Sequence, residues 1–153
     1  MERRHPPSEE ADRVLGDLRE AVVVVEGTRD RLALEGLGMS RIVPLNGRSL
    51  ANVAEELARL RPPEVVILTD FDREGRALHA RLRTLLARYG VRANPRLRHM
   101  VRQFGWTRIE DMTADAIVLH DKKRGDTHGK ARAHIDQIHH SGTDHGQRRD
   151  REA

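Results

Sequence analysis

The sequence contains no cysteine, and phenylalanine, tyrosine and tryptophan together make up 3% of its 153 residues. The lack of cysteine excludes disulfide bonds and cysteine-ligated zinc, and it fits a reducing compartment. Scarce aromatic residues argue against sequence-specific recognition of unpaired bases by stacking. No apolar run approaches the roughly 20 residues that a membrane-spanning helix needs, and the N-terminus lacks the apolar segment of a secretory signal. We therefore expect a cytoplasmic protein that does not contact membranes.

Positive charge, by contrast, is abundant. Charged residues make up 34% of the chain, the net charge is +4 and only three of the basic residues are lysines; the calculated pI is about 10.3. A basic protein favours an anionic partner, and nucleic acid is the commonest. The alternative is an arginine-rich composition that fills every solvated surface with arginine.

Short apolar runs alternate with helical patterns along the chain. The runs cover residues 21–25, 42–45, 65–68 and 97–101, and the first and third are continuous and rich in valine and isoleucine. Such runs are typical of strands that are covered on both faces. The pattern predicts an α/β fold in which a mainly parallel sheet of about four strands is flanked by helices. Pro44 interrupts the second run, which indicates an edge position in the sheet or the end of the strand.

Helix signals and composition divide the chain into four parts. We expect a helix over residues 9–18, a second over residues 29–37 and a third that begins after an N-cap at Ser49. A fourth helix is predicted from residue 73 to a stop at Gly90, with the Tyr89 side chain in the core. Another helix is predicted to begin at the Thr107–Glu110 capping-box pattern. The predicted parts are an N-terminal helical extension (residues 1–19), the α/β domain (20–102), a C-terminal helical extension (103–121) and a disordered polar tail (122–153), which holds five of the nine histidines.

Three acidic residues follow two of the predicted strands. Glu26 follows the first strand, and Asp70 and Asp72 follow the third. Because parallel strands bring their carboxyl ends to one edge, neighbouring strands would place all three carboxylates together. Oxygen ligands without cysteine indicate Mg²⁺ or Mn²⁺, as one ion or two. The alternative for each residue is structural: Asp72 would cap the next helix, and Glu26 would pair with an arginine.

Two segments resemble a known family. "VVVVEGTRDRLAL" and "VVILTDFDREG" are similar to the Toprim domain of topoisomerases, bacterial-type primases and certain nucleases, a Rossmannoid module with Glu-Gly after one strand and Asp-x-Asp after a later one. "TDFDREG" resembles the type IA topoisomerase version, and "LNGRSL" resembles the Asn-Gly segment of the ribonucleases that mature 5S ribosomal RNA. The chain is far smaller than a topoisomerase, so it resembles a small stand-alone Toprim protein.

The resemblance implies roles for particular residues. Asp70 and Asp72 would hold Mg²⁺, and Glu26 would complete the metal site or transfer protons as a catalytic group. The nearby Glu74, Gly27 and Asn46 would support the site from behind these three, with Gly27 and Gly75 allowing close backbone approach. A haloacid-dehalogenase-like phosphatase also carries Asp-x-Asp after a strand, but that interpretation leaves Glu26 without a role.

Arginines cluster directly after the acidic residues. Residues 73–102 contain nine arginines and a single acid, Glu74. Arginine binds phosphate oxygens through its planar guanidinium, so Arg73, Arg76 and Arg83 are predicted to contact a nucleic-acid backbone. The whole pattern predicts a magnesium-binding enzyme, a nuclease or phosphotransferase that acts on phosphodiesters of RNA or DNA. The alternative is an accessory protein that binds nucleic acid and keeps a non-catalytic Mg²⁺.

Overall fold

A computed structural model describes residues 9–114, 116 and 117. Its elements are α1 (Glu9–Glu20), β1 (Val22–Val25), α2 (Thr28–Gly36), β2 (Ile42–Pro44), α3 (Leu50–Leu60), β3 (Val65–Ile67), α4 (Arg73–Arg88), α5 (Pro95–Gln103) and a 3₁₀ turn (Ile109–Asp111). The predicted disordered tail, with its histidines, lies outside the described residues.

The three strands form a parallel sheet in the order β2-β1-β3. The central strand, β1, places Val24 opposite Val43 of β2 and opposite Ile67 of β3. Its apolar side chains are buried on both faces of the sheet, as the continuous valine run predicts. Pro44 lies in an edge strand, where a residue without an N–H group leaves no ladder hydrogen bond unmade on the outer side. The predicted α/β class and edge position are confirmed.

The fourth predicted strand, residues 97–101, is wrong. These residues belong to α5, which buries Leu97, Arg98 and Val101 at helical spacing. The helix begins at Asn94, whose side chain accepts a hydrogen bond from the Arg96 amide at 2.8 Å, and Pro95 occupies its first turn. An Asn-Pro pair is a strong helix start, and it outweighs the apparent alternation of "LRHMV". Only an isolated parallel bridge from Ala93 to Val65 extends this side of the sheet in the described residues.

Helices cover both faces of the sheet. Val23 and Val25 point toward one core, which α1, α2, α5 and the residues around the 3₁₀ turn complete. Val24 points toward a second core, which α3 and α4 complete. The alternation follows from the two-residue period of a strand. The helix that follows β1 and the helix that follows β3 therefore lie on opposite faces.

Most predicted helix boundaries hold to within a residue or two. Ser49 caps α3, with its hydroxyl accepting from the Asn52 amide at 3.5 Å. The N-cap of α2 is Gly27, and the helix begins one residue before the predicted residue 29. Gly90 follows α4 with a φ of +75°, a left-handed conformation that suits a helix stop. Tyr89, predicted to be core, is 48% exposed because the apolar face of α4 ends at Leu86.

The segment after α5 differs from the predicted helix. The chain makes only the 3₁₀ turn, whose N-cap is Arg108 without a side-chain cap, before helical residues resume at Ala114. Trp106, Ile109 and Met112 anchor this segment in the core beside α2. Burial of these three side chains fixes the path of the segment, so the capping-box pattern does not control it.

Candidate active site at the carboxyl edge of the sheet

The carboxyl ends of β1 and β3 form a crevice. The two strands are neighbours, and α2 and α4, which follow them, leave toward opposite faces of the sheet. Divergence of the connecting helices opens a gap outside the strand ends, which is where open α/β sheets bind their ligands. Glu26 directly follows β1, and Asp70 and Asp72 closely follow β3. The prediction that these three residues lie close together required β1 and β3 to be neighbours, and they are.

Glu26 and Asp70 are in direct contact although they are far apart in sequence. Glu26 Oε1 accepts a hydrogen bond from the Asp70 amide at 3.2 Å. The bond joins the two loops that follow β1 and β3. It also fixes the Glu26 carboxylate over the start of the Asp-x-Asp segment.

Both aspartates use one oxygen for structure. Asp70 Oδ1 accepts from the Ile109 amide at 2.9 Å. Asp72 is the N-cap of α4, and its Oδ1 accepts from the Gly75 amide at 2.7 Å. Asp72 therefore does cap the next helix, as the structural alternative predicted. No hydrogen bond in the described part of the chain engages Oδ2 of either residue, so each retains an oxygen for another ligand.

Gly75 allows α4 to begin directly against the Asp70 backbone. A Cβ atom at this position would lie 2.0 Å from the Asp70 carbonyl oxygen, a distance that no side chain tolerates. The Gly75 carbonyl in turn accepts from Thr69 Oγ1 at 2.6 Å. The predicted close approach is confirmed for Gly75. At Gly27 a Cβ would meet nothing within 4 Å, so no protein atom requires a glycine there.

A buried arginine lies beneath the acidic residues. Arg98 of α5 is 7% exposed, and its Nη1 donates to the carbonyls of Ile67 at 3.2 Å and Thr69 at 2.6 Å. Its Nη2 donates to the Asp70 carbonyl at 3.1 Å, and the guanidinium packs 4.4 Å from the centre of the Phe71 ring. Burial lowers the pKa of Arg98 to about 10, and the residue stays charged at neutral pH. The guanidinium thus fixes the backbone that carries Asp70 and supplies a positive charge behind it.

The carboxylates at this edge repel one another. Burial, the Asp70 charge and, more weakly, Asp72 raise the pKa of Glu26 above its ordinary value of 4.5. Asp30, a buried residue in the first turn of α2, also has a raised pKa, chiefly because of burial and secondarily because of Asp70. Its Oδ2 accepts from the Gly27 amide at 3.0 Å. A bound cation would relieve this repulsion.

The donor set fits Mg²⁺ in chemistry but is not preassembled. Glu26, Asp70 and Asp72 offer hard carboxylate oxygens, and each retains an oxygen without a partner among the described residues. Within that same part of the chain, however, no three acidic or histidine side chains already surround one point as metal ligands would. Side-chain rotation would have to bring the free oxygens together around an ion.

The predicted supporting residues are placed differently from one another. Asn46 is exposed and left-handed at a φ of +46°, and its amide donates to the Glu26 carbonyl at 2.9 Å. It therefore fixes the Glu26 backbone, and among the described residues no hydrogen bond joins its side chain to the carboxylates. Glu74 lies in the exposed first turn of α4 and lines a cleft beside Glu26. Gly27 belongs to the site through its amide, which binds Asp30.

Two of the nine arginines in residues 73–102 have structural partners and do not belong to the predicted phosphate-binding surface. Arg73, Arg76 and Arg83 lie exposed on α4, as expected. Arg98 is buried beneath the site, and Arg96 pairs with Asp17 of α1 at 2.9 Å. Of the seven arginines that remain, five lie exposed on α4 and form a basic helix that starts at the acidic residues: Arg73, Arg76, Arg81, Arg83 and Arg88.

Sequence reasoning missed Asp30, Arg98 and the Ile109 amide. Asp30 stands four residues after Glu26, and its position in the first turn of a helix that follows the Glu-Gly pair could have signalled it. Arg98 was hidden because residues 97–101 were interpreted as a strand; on a helix it shares the buried face of Leu97 and Val101. No sequence signal identifies the Ile109 amide, because a backbone donor depends only on the path of the chain.

Comparison with known proteins supplies the family. A family model described as "Toprim domain" matches residues 21–100, which is more than half of the chain and includes every predicted catalytic residue. The chain belongs to the Toprim family. A Toprim domain indicates a metal-binding function related to nucleic acids, and domains of this family generally bind Mg²⁺ and act on nucleic acids.

Several archaeal proteins resemble this Toprim chain. It is 38% identical over 95 residues to a UPF0292 protein of Methanosarcina barkeri, covering 61% of this chain and 66% of that protein. A UPF0292 protein of Methanocaldococcus jannaschii is 35% identical over 86 residues, covering 56% and 67%. One from Thermococcus sibiricus is 35% identical over 95 residues, covering 60% and 74%. The match spans just under two thirds of the Methanosarcina protein and about two thirds of the Methanocaldococcus protein.

A solved structure shares the Toprim architecture. A "putative protein from Aquifex aeolicus" superposes with a TM-score of 0.60 at 25% sequence identity, covering 65% of this chain and 95% of that one. Among the described helices, none is long and apolar enough to cross a membrane.

Proposed function

We propose that this Toprim protein is a metal-dependent nuclease that cleaves phosphodiester bonds of RNA or DNA. One observation carries the proposal: Glu26 contacts the Asp70 amide at 3.2 Å in the crevice between β1 and β3, so the Glu-Gly and Asp-x-Asp segments form one site. The site is open to solvent at the end of a basic helix. An anionic polymer could therefore reach it along α4.

Asp70 and Asp72 would hold the metal through the oxygens that their structural hydrogen bonds leave free. The amides of Ile109 and Gly75 each hold one oxygen of an aspartate, and the rotation that brings the free oxygens toward an ion would start from these anchored positions. A bound Mg²⁺ supplies charge neutralisation at the phosphate and activates water. Arg98 keeps the loop that carries Asp70 in place through the Asp70 and Thr69 carbonyls.

Glu26 is suited to proton transfer. Its carboxylate is half-buried beside two other acids, and its pKa is raised toward neutrality by burial and by their charge. A general acid or base works best when its pKa approaches the working pH. Glu26 would accept a proton from the attacking water or donate one to the leaving oxygen of the sugar.

Arg73 and Arg76 would contact the phosphates that flank the cleaved bond. Both are exposed in the first turn of α4, which Asp72 caps, so they border the acidic residues. Guanidinium groups bind phosphate oxygens in pairs of hydrogen bonds and carry no sequence information in doing so. The sequence-based prediction for Arg83, further along α4, remains a prediction.

A second function also has an observation in its favour. The described acids do not surround one point, and Asp70 and Asp72 each use an oxygen to hold the fold. Such a site would suit an accessory protein that binds nucleic acid and keeps Mg²⁺ without turnover.

Cleavage assays with end-labelled structured RNA and duplex DNA, with and without Mg²⁺, decide between the two functions. We expect cleavage that requires both Mg²⁺ and Asp70. Asp70→Asn keeps an oxygen for the Ile109 amide, so the fold should survive while metal binding, followed by calorimetric titration, is lost. Asp12→Asn, the same change on the exposed side of α1, is the matched control and should cleave normally. A folded wild-type protein that binds both Mg²⁺ and nucleic acid without cleaving either polymer would establish the accessory function instead.

A further inference from the structure

A cleft of about 670 Å³ opens beside Glu26. It lies between the segment that joins β2 to α3 and one side of α4. Its volume falls in the range of roughly 300–1,000 Å³ that is common for small-molecule sites. Because Glu26 lines one end of the cleft and also contacts Asp70, the cleft is continuous with the acidic site.

The α4 residues that line the cleft share one side of the helix. Glu74, Leu78, Arg81 and Leu85 follow one another at spacings of four, three and four. Such spacing aligns side chains along one face. Arg83 belongs to another side, where its charge and that of Arg98 help burial to lower the pKa of His79 to about 4. The exposed arginines of α4 therefore offer two separate paths away from the site.

Leucine side chains lie on both walls of the cleft. Leu45, Leu50, Leu78 and Leu85 line it, and all except the buried Leu45 keep part of their surface exposed. These side chains come from both sides, from the β2–α3 segment and from α4. A flat apolar group between them would gain contact area on two faces.

Two arginines line the cleft. Arg48 is held in place, with Nη1 on Glu56 Oε2 at 2.8 Å and Nη2 on the Pro44 carbonyl at 3.0 Å. Arg81 is exposed on the opposite side, and no salt bridge engages it within the described residues. Charge along the cleft thus changes from acidic at Glu26 and Glu74 to basic at Arg81, over about 10 Å of helix.

We propose that this cleft holds one nucleotide of the bound strand, the one next to the cleaved phosphodiester. The sugar and base would lie against the leucines, and the phosphate on the far side would contact Arg81. The inference rests on the proposed function, because it places the cleaved bond at Glu26 and Asp70. It adds the direction in which the strand leaves the site: along the cleft between α3 and α4, and not along the Arg83 side.

Binding of a short end-labelled single strand, RNA and DNA of one sequence, tests the path by fluorescence anisotropy. Work in EDTA prevents cleavage and makes the result independent of metal loading. We expect Arg81→Ala to weaken binding about tenfold and to lower the salt slope by about one. Arg13→Ala, at an exposed arginine of α1 that lies outside both the cleft and the basic helix, is the matched control and should change affinity less than twofold.

A second variant tests the apolar walls without a change of charge. Ala51 is exposed and lines the cleft, so Ala51→Trp should fold normally and fill the space. We expect it to weaken binding severalfold with an unchanged salt slope. Circular dichroism confirms the fold of each variant.

Each outcome has a defined meaning. Loss of affinity in Arg81→Ala and Ala51→Trp, with Arg13→Ala unaffected, supports the cleft. A larger loss in Arg83→Ala than in Arg81→Ala, or normal binding by Ala51→Trp, overturns it while leaving the nuclease proposal in place. A wild-type protein that binds neither strand, and cleaves neither polymer in Mg²⁺, overturns both proposals.

Discussion

Replacing Gly75 with alanine should unfold or severely loosen the start of α4. The added Cβ would lie 2.0 Å from the Asp70 carbonyl oxygen, where contacts below 3.0 Å essentially never occur. Helix and loop would therefore have to separate by at least 1 Å (3.0 − 2.0). Neither partner is a flexible side chain: one is a helix backbone, and the other is a carbonyl that Arg98 also binds.

Two contributions set the magnitude. Forcing extra volume into a tight contact costs about 1–3 kcal/mol. Separation also weakens the cap between Asp72 and the Gly75 amide, and loss of an N-cap costs about 0.5–2 kcal/mol. Urea denaturation followed by circular dichroism should therefore show a loss of about 1.5–5 kcal/mol in the free energy of unfolding.

Gly16 provides a matched control for the same substitution. It lies inside α1, where an added Cβ would meet nothing within 4 Å. Alanine is a better helix former than glycine, so Gly16→Ala should stabilise the protein by about 0.5–1 kcal/mol. The two substitutions are thus expected to have opposite signs. A Gly75→Ala protein within 0.5 kcal/mol of wild type, or less affected than Gly16→Ala, would refute the close approach as described.

Three further predictions concern charged groups. Arg98→Met leaves the Ile67, Thr69 and Asp70 carbonyls without their donor and should lower the free energy of unfolding in urea by about 3–5 kcal/mol. Arg98→Lys keeps the charge but not the branched guanidinium and should cost less, so equal losses would contradict the hydrogen-bonding role. In EDTA the pKa of Glu26, raised by burial and by the neighbouring acids, means that the folded state binds more protons than the unfolded chain just above pH 4.5, so the Glu26 contribution to stability falls as pH rises through that window. Glu26→Gln should remove this loss and raise the urea midpoint at pH 7, and a lower midpoint there would contradict the raised pKa. His79 should titrate near pH 4 by NMR instead of near 6.5, and the stability of the protein should fall as pH drops from 6.5 to 4. Arg83→Ala should raise the pKa of His79, whereas a wild-type titration midpoint near 6.5 would show that the ring is solvated.

Local sequence was sufficient for most of the fold because periodicity and burial agree there. The β1 valines and the Val65–Ile67 run are buried on both faces, and the helix that follows β3 has a clear apolar stripe. The fourth strand failed for the opposite reason. "LRHMV" fits a two-residue period as well as a helical one, and only the preceding Asn94-Pro95 start distinguishes them.

The candidate site was predictable where it depends on strand ends and unpredictable where it depends on distant segments. Parallel topology brings Glu26 and Asp70 together wherever β1 and β3 are neighbours, and the order β2-β1-β3 satisfies that condition. Arg98 arrives from α5 and the Ile109 amide from the 3₁₀ turn, and tertiary packing alone sets both positions. The prediction that Tyr89 is in the core failed for a similar reason. Helical spacing shows which face of α4 a residue lies on, but not where the element that packs against that face ends.

The hydrogen bonds at Phe71 and Asp70 have a consequence for how the domain is cut. The Phe71 amide donates to the Thr107 carbonyl at 2.9 Å, and Asp70 Oδ1 accepts from the Ile109 amide. Both partners lie beyond residue 100, where the family match ends. The cooperative folding unit is therefore longer than the homologous segment. A fragment trimmed to residues 21–100 would keep all three acidic side chains but lose the segment after α5 whose Ile109 amide orients Asp70. Sequence similarity therefore identifies the residues of the site but not the full extent of the folded unit that holds them.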